Sequence, residues 1–226
     1  MAPDSTLLTW GERHSGLGPG VIPMPYRIMG DRALCLFQTV IVDDEATTAQ
    51  ASLAQIRRAA SALILQCAAS GESQGGIAMN IGGDNKLAVV LGTYHPNVQC
   101  RGAFGAEWTS CRDVLGDMPA GKTRLIFGPR GAPEVQQGLP VLIESSGMQA
   151  DDKCVVQIFS TGNPDISLWY RMWEAVTAVF SVCVRTGRGG AFMGLGDLGN
   201  IFLTVSSAAK EVKLTLPGND STEAWA

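Results

Sequence analysis

Two stretches of the chain carry apolar residues at helical spacing. In the first, from Ser52 to Cys67, Leu53, Ile56, Ala60, Leu63 and Cys67 fall on one stripe, with Gln55, Arg57 and Arg58 off it. In the second, running from Ser167 to Cys183, the stripe is Ile166, Trp169, Trp173, Val176, Phe180 and Cys183. Asp165, following Asn163-Pro164, stands where a helix N-cap is expected. The remaining apolar runs are short and bounded by turn residues, as strands are: Val21–Arg27, Ala33–Gln38, Leu87–Leu91, Gly138–Ile143, Asp152–Gln157 and Ile201–Val205. Gly82-Gly83-Asp84-Asn85 and Gly196-Asp197-Leu198-Gly199 supply residues that tolerate positive φ in hairpin turns.

These elements recur in one order. Each copy has an apolar run with a proline, a Cys-initiated run (Cys35, Cys154), a helix ending in Cys (Cys67, Cys183), a glycine pair (Gly75-Gly76, Gly189-Gly190), a turn glycine (Gly82, Gly196) and a last apolar run. The reading is an α+β fold of two repeated strand-strand-helix-strand-strand modules, with helices packed on antiparallel sheets. The expected segments are 1–20 (N-terminal), 21–94 (first repeat), 95–137 (inter-repeat, rich in Gly, Pro and Arg, with an added strand at Thr123–Phe127), 138–216 (second repeat) and 217–226 (polar tail). Either repeat alone is small for a stable core, so the two are expected to share an interface.

Composition narrows the function classes. Of 226 residues, 46% are hydrophobic and 17% charged, with net charge −4, which excludes a mainly disordered chain and argues against a nucleic-acid-binding face. No apolar run is long enough to span a bilayer. Only two histidines, His14 and His95, are present, too few for the usual zinc sites, so no metal and no cofactor are expected. Gly194-x-Gly196-x-x-Gly199 has the spacing of a dinucleotide-binding loop but leads into a strand-like run rather than a helix.

Six dispersed cysteines, Cys35, Cys67, Cys100, Cys111, Cys154 and Cys183, lack metal-ligand spacing and read as a disulfide framework, hence a secreted or secretory-lumen protein. The internal symmetry suggests Cys35–Cys67, Cys154–Cys183 and Cys100–Cys111. The rival scheme joins an inter-repeat cysteine to a module cysteine.

The candidate chemistry is concentrated in Trp169-Tyr170-Arg171-Met172-Trp173 and in Tyr26-Arg27, which follow Pro23-Met24-Pro25. Trp169 and Trp173, one helical turn apart, either fill a core or line an aromatic pocket. Tyr170 lies beside that stripe and offers a phenol donor. Tyr26 next to Arg27 either binds an enolate or carboxylate or follows the in/out alternation of a strand. Met24 and Met172 are candidates for a pliable apolar lining. His95 reads as a turn residue, and Asp43-Asp44-Glu45 as a solvated acidic loop.

One pattern resembles a known group. Cys111-x3-Leu115-x2-Met118-Pro119, Phe127-Gly128, Leu139-Pro140 and Cys154 make its first half. Leu168-Trp169-Tyr170-x2-Trp173-Glu174-Ala175 and Cys183-Val184-Arg185 make its second. This resembles small secreted fungal proteins of cysteine-stapled α/β type, some of them similar to killer-toxin-type effectors. In size and expected secretory origin the chain is also similar to the fungal hetero-Diels–Alderases, which join a reactive quinone methide to a terpene in tropolone sesquiterpenoid pathways. The resemblance implies a cofactor-free cyclase with hydrophobic polyketide and terpene partners, but it carries no catalytic signature. Tyr170, Tyr26 and Arg27 as catalytic groups, and Trp169, Trp173, Met24 and Met172 as substrate-binding ones, rest on residue chemistry alone. The alternatives are a secreted non-catalytic effector or toxin-like binding protein, and a homodimer that buries the surplus apolar surface.

Overall fold

The capping box at Ser52 sets the start of the first helix. Ser52 is extended, its Oγ accepts the Gln55 N–H at 3.3 Å, and the Gln55 side chain accepts the Ser52 N–H at 2.9 Å. Helix α1 (Leu53–Leu63) follows and closes in a π-helical turn, Ile64–Ala68. The computed structural model describes residues 4–12, 18–30, 35–43, 45–68, 75–93, 96–102, 108–145 and 153–207, leaving aside the side chains of 67 and 68. The fold is α+β, with three helices and several antiparallel pairings among the described residues.

In the first half, β1 (Leu7–Glu12) lies between β2 (Val21–Met24), which is parallel to it, and β5 (Thr48–Ser52), which is antiparallel. A second, antiparallel sheet has the order β3 (Tyr26–Met29), β4 (Cys35–Ile41), β7 (Leu87–Thr93), β6 (Gly76–Ile81). In the second half, β9 (Leu125–Pro129) lies between β10 (Gln137–Leu139), parallel, and β13 (Asp165–Ser167), antiparallel. The large sheet there is antiparallel and runs β11 (Val141–Glu144), β12 (Cys154–Ser160), β15 (Ile201–Ser207), β14 (Gly189–Leu195), β8 (Val98–Arg101). Its fifth strand, β8, follows the first half's β7 along the chain. Helix α2 (Trp108–Asp117) packs on β12, and α3 (Trp169–Val182) on β14 and β15.

The apolar core is in two main parts. One gathers Trp10, Ile56, Leu63, Leu87 and Val89 between α1 and the first half's sheets. The other gathers Val114, Phe127, Val156, Met172, Val176 and Leu203 around α2, α3 and the five-stranded sheet. Helix α3 is buried on nearly every side, because Ala178 also meets Met29 of β3. It is thus wedged between its own sheet and the first half's, and this brings Tyr170 and Glu174 onto β3 and β4.

Several expectations are corrected. The bridges are Cys100–Cys183 and Cys111–Cys154, with Cα separations of 5.3 and 5.0 Å; Cys35 is an exposed free thiol, and the side chain of Cys67 lies outside the described residues. The pairings Cys35–Cys67, Cys154–Cys183 and Cys100–Cys111 therefore do not form, and the rival scheme does. The reason is topological: β8 joins β14 and puts Cys100 beside the end of α3, and α2 on β12 puts Cys111 against Cys154. Asp165 does not cap α3. Leu168 stands at the N-cap without a side-chain bond, and Asp165 lies in β13. Leu53 and Ile166, placed on the apolar stripes, are partly exposed. The strands β1, β5 and β13 stand beyond the strands expected, whereas β9 overlaps the added strand expected at Thr123–Phe127, and α2 falls in the Gly-, Pro- and Arg-rich segment. His14, His95, Asp44 and the tail 217–226 lie outside the described residues. No helix among those described is long and apolar enough to cross a membrane, which together with two disulfides is compatible with secretion.

Candidate functional site: a cleft between the two halves

Pro23, Met24 and Pro25 carry the chain from β2 to β3 through a cis Met24–Pro25 bond. The residues after α2 lie opposite them, and Gly121 O accepts the Tyr170 N–H at 3.0 Å, tying that segment to the start of α3. Between these parts opens a cleft of about 490 Å³, lined by Pro23, Asp117, Pro119, Gly121, Leu125 and Trp169 among others. Beside it is a recess of about 20 Å³, lined by Glu12, Met24, Thr39, Ile41, Lys122 and Tyr170 among others. Ala120 lines both. The cleft falls in the roughly 300–1,000 Å³ range of small-molecule sites. The recess has space for about one water-sized group.

A polar network backs the recess. Arg27 on β3 and Gln38 on β4 are cross-strand partners, and Tyr170 and Glu174 lie one turn apart on α3. Arg27 Nε donates to Gln38 Oε1 at 2.7 Å, and its Nη2 donates to both Gln38 Oε1 and Glu174 Oε1. Gln38 Nε2 donates to Tyr170 Oη. The Arg27 side chain is only 3% exposed and that of Glu174 27%, so the ion pair is closed on the arginine side and partly wet on the other. The guanidinium also lies 5.4 Å from the centroid of the Trp173 ring. Burial raises the pKa of the Tyr170 phenol, and the charge of Glu174 raises it further, against smaller opposing effects of Arg27 and Gln38.

The structure brings some of the sequence-predicted residues together. Tyr170 and Arg27 meet through Gln38. Trp169 lines the cleft, edge-to-face with Phe127 at 5.5 Å. Met24 lines the recess, where the Thr39 hydroxyl donates to its sulfur at 3.1 Å. Others lie elsewhere. Tyr26, one residue along β3, points away from Arg27 and packs edge-to-face on Trp10 at 5.6 Å. Trp173 is buried in the core, and its Nε1 donates to Leu115 O at 3.2 Å. Met172 is fully buried. Neither is among the residues lining the cleft or the recess. Asp43 pairs with Lys86 at 3.3 Å and accepts the Glu45 N–H, as a solvated loop would.

Gln38, Glu174 and Lys122 are site residues that the sequence reading misses. Glu174 had a local signal, its spacing of four from Tyr170. Gln38 had a weaker one, a polar residue inside an apolar run. Among the described residues no group of three His, Cys, Asp or Glu side chains is placed to hold a metal. Comparison with protein-family models, with curated proteins and with solved structures finds no match.

Proposed function

We propose that this is a secreted cyclase that holds hydrophobic polyketide or terpene partners in the cleft between its two halves, and that those halves are diverged copies of one module. The single observation behind the reading is the cleft, with its volume of about 490 Å³ and its wall of Trp169, Leu125, Pro23 and Pro119. A cycloaddition is accelerated when two partners are held in a near-attack arrangement away from water, and such a wall serves that purpose. The repeat is supported by the matching strand senses around β1 and β9. It is also supported by matching bulges, between Ala78 and Ile81 in β6 and between Phe192 and Leu195 in β14.

The test is a thermal-shift and tryptophan-fluorescence titration with α-humulene as the apolar probe. Binding to the folded state raises its stability by about 2.7 kcal/mol at a hundredfold excess over Kd. A saturable rise in Tm with quenching, both weakened in Trp169→Ala, is the expected result. An unchanged Tm and spectrum up to the solubility limit of α-humulene would overturn the cleft reading.

A second reading, a non-catalytic protein that engages a partner along β6, is favoured by one observation. β6 ends its sheet, and its Ile77 and Met79 are 62% and 59% exposed. On that reading, Ile77→Lys with Met79→Lys abolishes association, or dimerisation if the partner is a second copy, and leaves α-humulene binding intact.

A further inference from the structure

We infer that the recess beside Tyr170 receives the oxygen of a neutral, conjugated carbonyl on the ligand, hydrogen-bonded by the Tyr170 hydroxyl, and that Arg27, Gln38 and Glu174 are positioning residues for that hydroxyl. This rests on the cleft being a ligand site and names the ligand class it takes.

The argument follows the direction of each hydrogen bond. An amide has one acceptor end and one donor end. Arg27, a pure donor, occupies the acceptor end of Gln38 through Nε and Nη2. That turns the donor end, Nε2, toward Tyr170, so the phenol oxygen is an acceptor inside the network. Its own proton is left to point out of the network, and Tyr170 lines the recess. Glu174 accepts from the same Nη2 that Gln38 engages, which holds the guanidinium in the network, so Arg27 does not swing to the ligand. Burial keeps the phenol protonated and therefore a donor.

Size and charge select the ligand group. The recess, at about 20 Å³, has room for about one oxygen-sized group, and the cleft beside it has the volume for an apolar body. Glu12 and Lys122 both line the recess, so its formal charges cancel, and the Arg27 charge is met by Glu174. A carboxylate would find no surplus of positive charge, whereas a neutral carbonyl needs only a donor. A conjugated carbonyl gains electron density at oxygen when its π system reacts, and a hydroxyl donating to that oxygen favours the change.

The probe is β-ionone, an apolar conjugated ketone, compared with the hydrocarbon that has CH2 in place of its carbonyl. The readouts are affinity and the position of the enone absorption band, which moves to longer wavelength when its oxygen accepts a hydrogen bond. Wild-type protein is expected to bind β-ionone about five- to tenfold more tightly than the hydrocarbon and to red-shift its band. Tyr170→Phe removes both effects and still binds the hydrocarbon. Gln38→Glu keeps an acceptor for Arg27 but offers Tyr170 a carboxylate, which captures the phenol proton. It is expected to abolish the red shift with Tyr170 still in place, which a purely structural role would not do. If the two probes bind wild type equally with no shift, or if Gln38→Glu retains the shift, the inference is overturned and the cleft reading stands. If neither probe binds, the cleft reading fails and the inference with it.

Discussion

Asp165 is 3% exposed, and its carboxylate accepts the backbone N–H groups of Asp197 (3.0 Å), Leu198 (3.1 Å) and Asn200 (2.9 Å). It thereby shapes the turn between β14 and β15. Gly196 makes the close approach feasible: its φ is +91°, and a Cβ there would stand 2.2 Å from Asp165 Oδ2. Replacing Asp165 with Ala leaves these donors without their acceptor, and the expected loss is about 3 kcal/mol. Gly196→Ala combines strain with a clash and is expected to cost about 2 kcal/mol or more. Urea unfolding midpoints measure both. The residue's importance is half legible in the sequence. An aspartate just ahead of a helix reads as a cap, a local role. Its actual partners lie 32 to 35 positions later, and no local pattern reports an acceptor that acts across that distance.

At the scale of elements, α3 is tied to the β14–β15 hairpin through Asp197. Arg171 Nη1 lies 3.1 Å from Asp197 Oδ1, and Arg124, next to β9, pairs with Oδ2. Lost hydration raises the pKa of Asp197, but the hydrogen bonds and charge of Arg171 and Arg124 outweigh it and hold the carboxyl below its ordinary value. A carboxyl with a lowered folded-state pKa contributes stability that is present above the unfolded-state value, about 3.9, and fades as pH falls through the folded one. Wild type is therefore expected to exceed Asp197→Asn in urea midpoint at pH 6, with the gap closing as pH falls from about 4 downward. Solvent screening keeps this gap small at this exposed site, and added salt narrows it. Element by element, the helices with long apolar stripes were readable, and Ser52-x-x-Gln55 marks the start of α1. Helix α2 was not, because its buried residues are only Ser110, Cys111 and Val114 and a glycine lies inside it. The strands β5, Thr-Ala-Gln-Ala-Ser, and β13, three residues long, carry too little apolar signal to be seen.

For the whole molecule, β8 leaves the first half and completes the second half's sheet, and both bridges lie between residues 100 and 183. This is also why the site was only partly readable. Tyr170 and Arg27 were identifiable by residue type, but the contacts that join their network, Gln38 to Tyr170 and Arg27 to Glu174, span 132 and 147 positions and depend on how the two halves dock. The bridges close loops with separations of 83 and 43 residues, for which loop-closure entropy gives about 4 kcal/mol each. Cys111→Ser with Cys154→Ser releases α2, which leads directly into the cleft wall. That pair is expected to weaken α-humulene binding as well as stability, whereas Cys100→Ser with Cys183→Ser lowers stability with less effect on binding. Unfolding midpoints and the titration above separate the two. The bridging pattern also sets an order of events during biosynthesis. A chain emerging from its N-terminus presents Cys100 and Cys111 together long before Cys183 exists, and bonding those two would close the shortest loop. The native partner of Cys100 arrives only when α3 is complete, so the nascent chain must either keep that thiol reduced until then or exchange a premature bond for the lasting one.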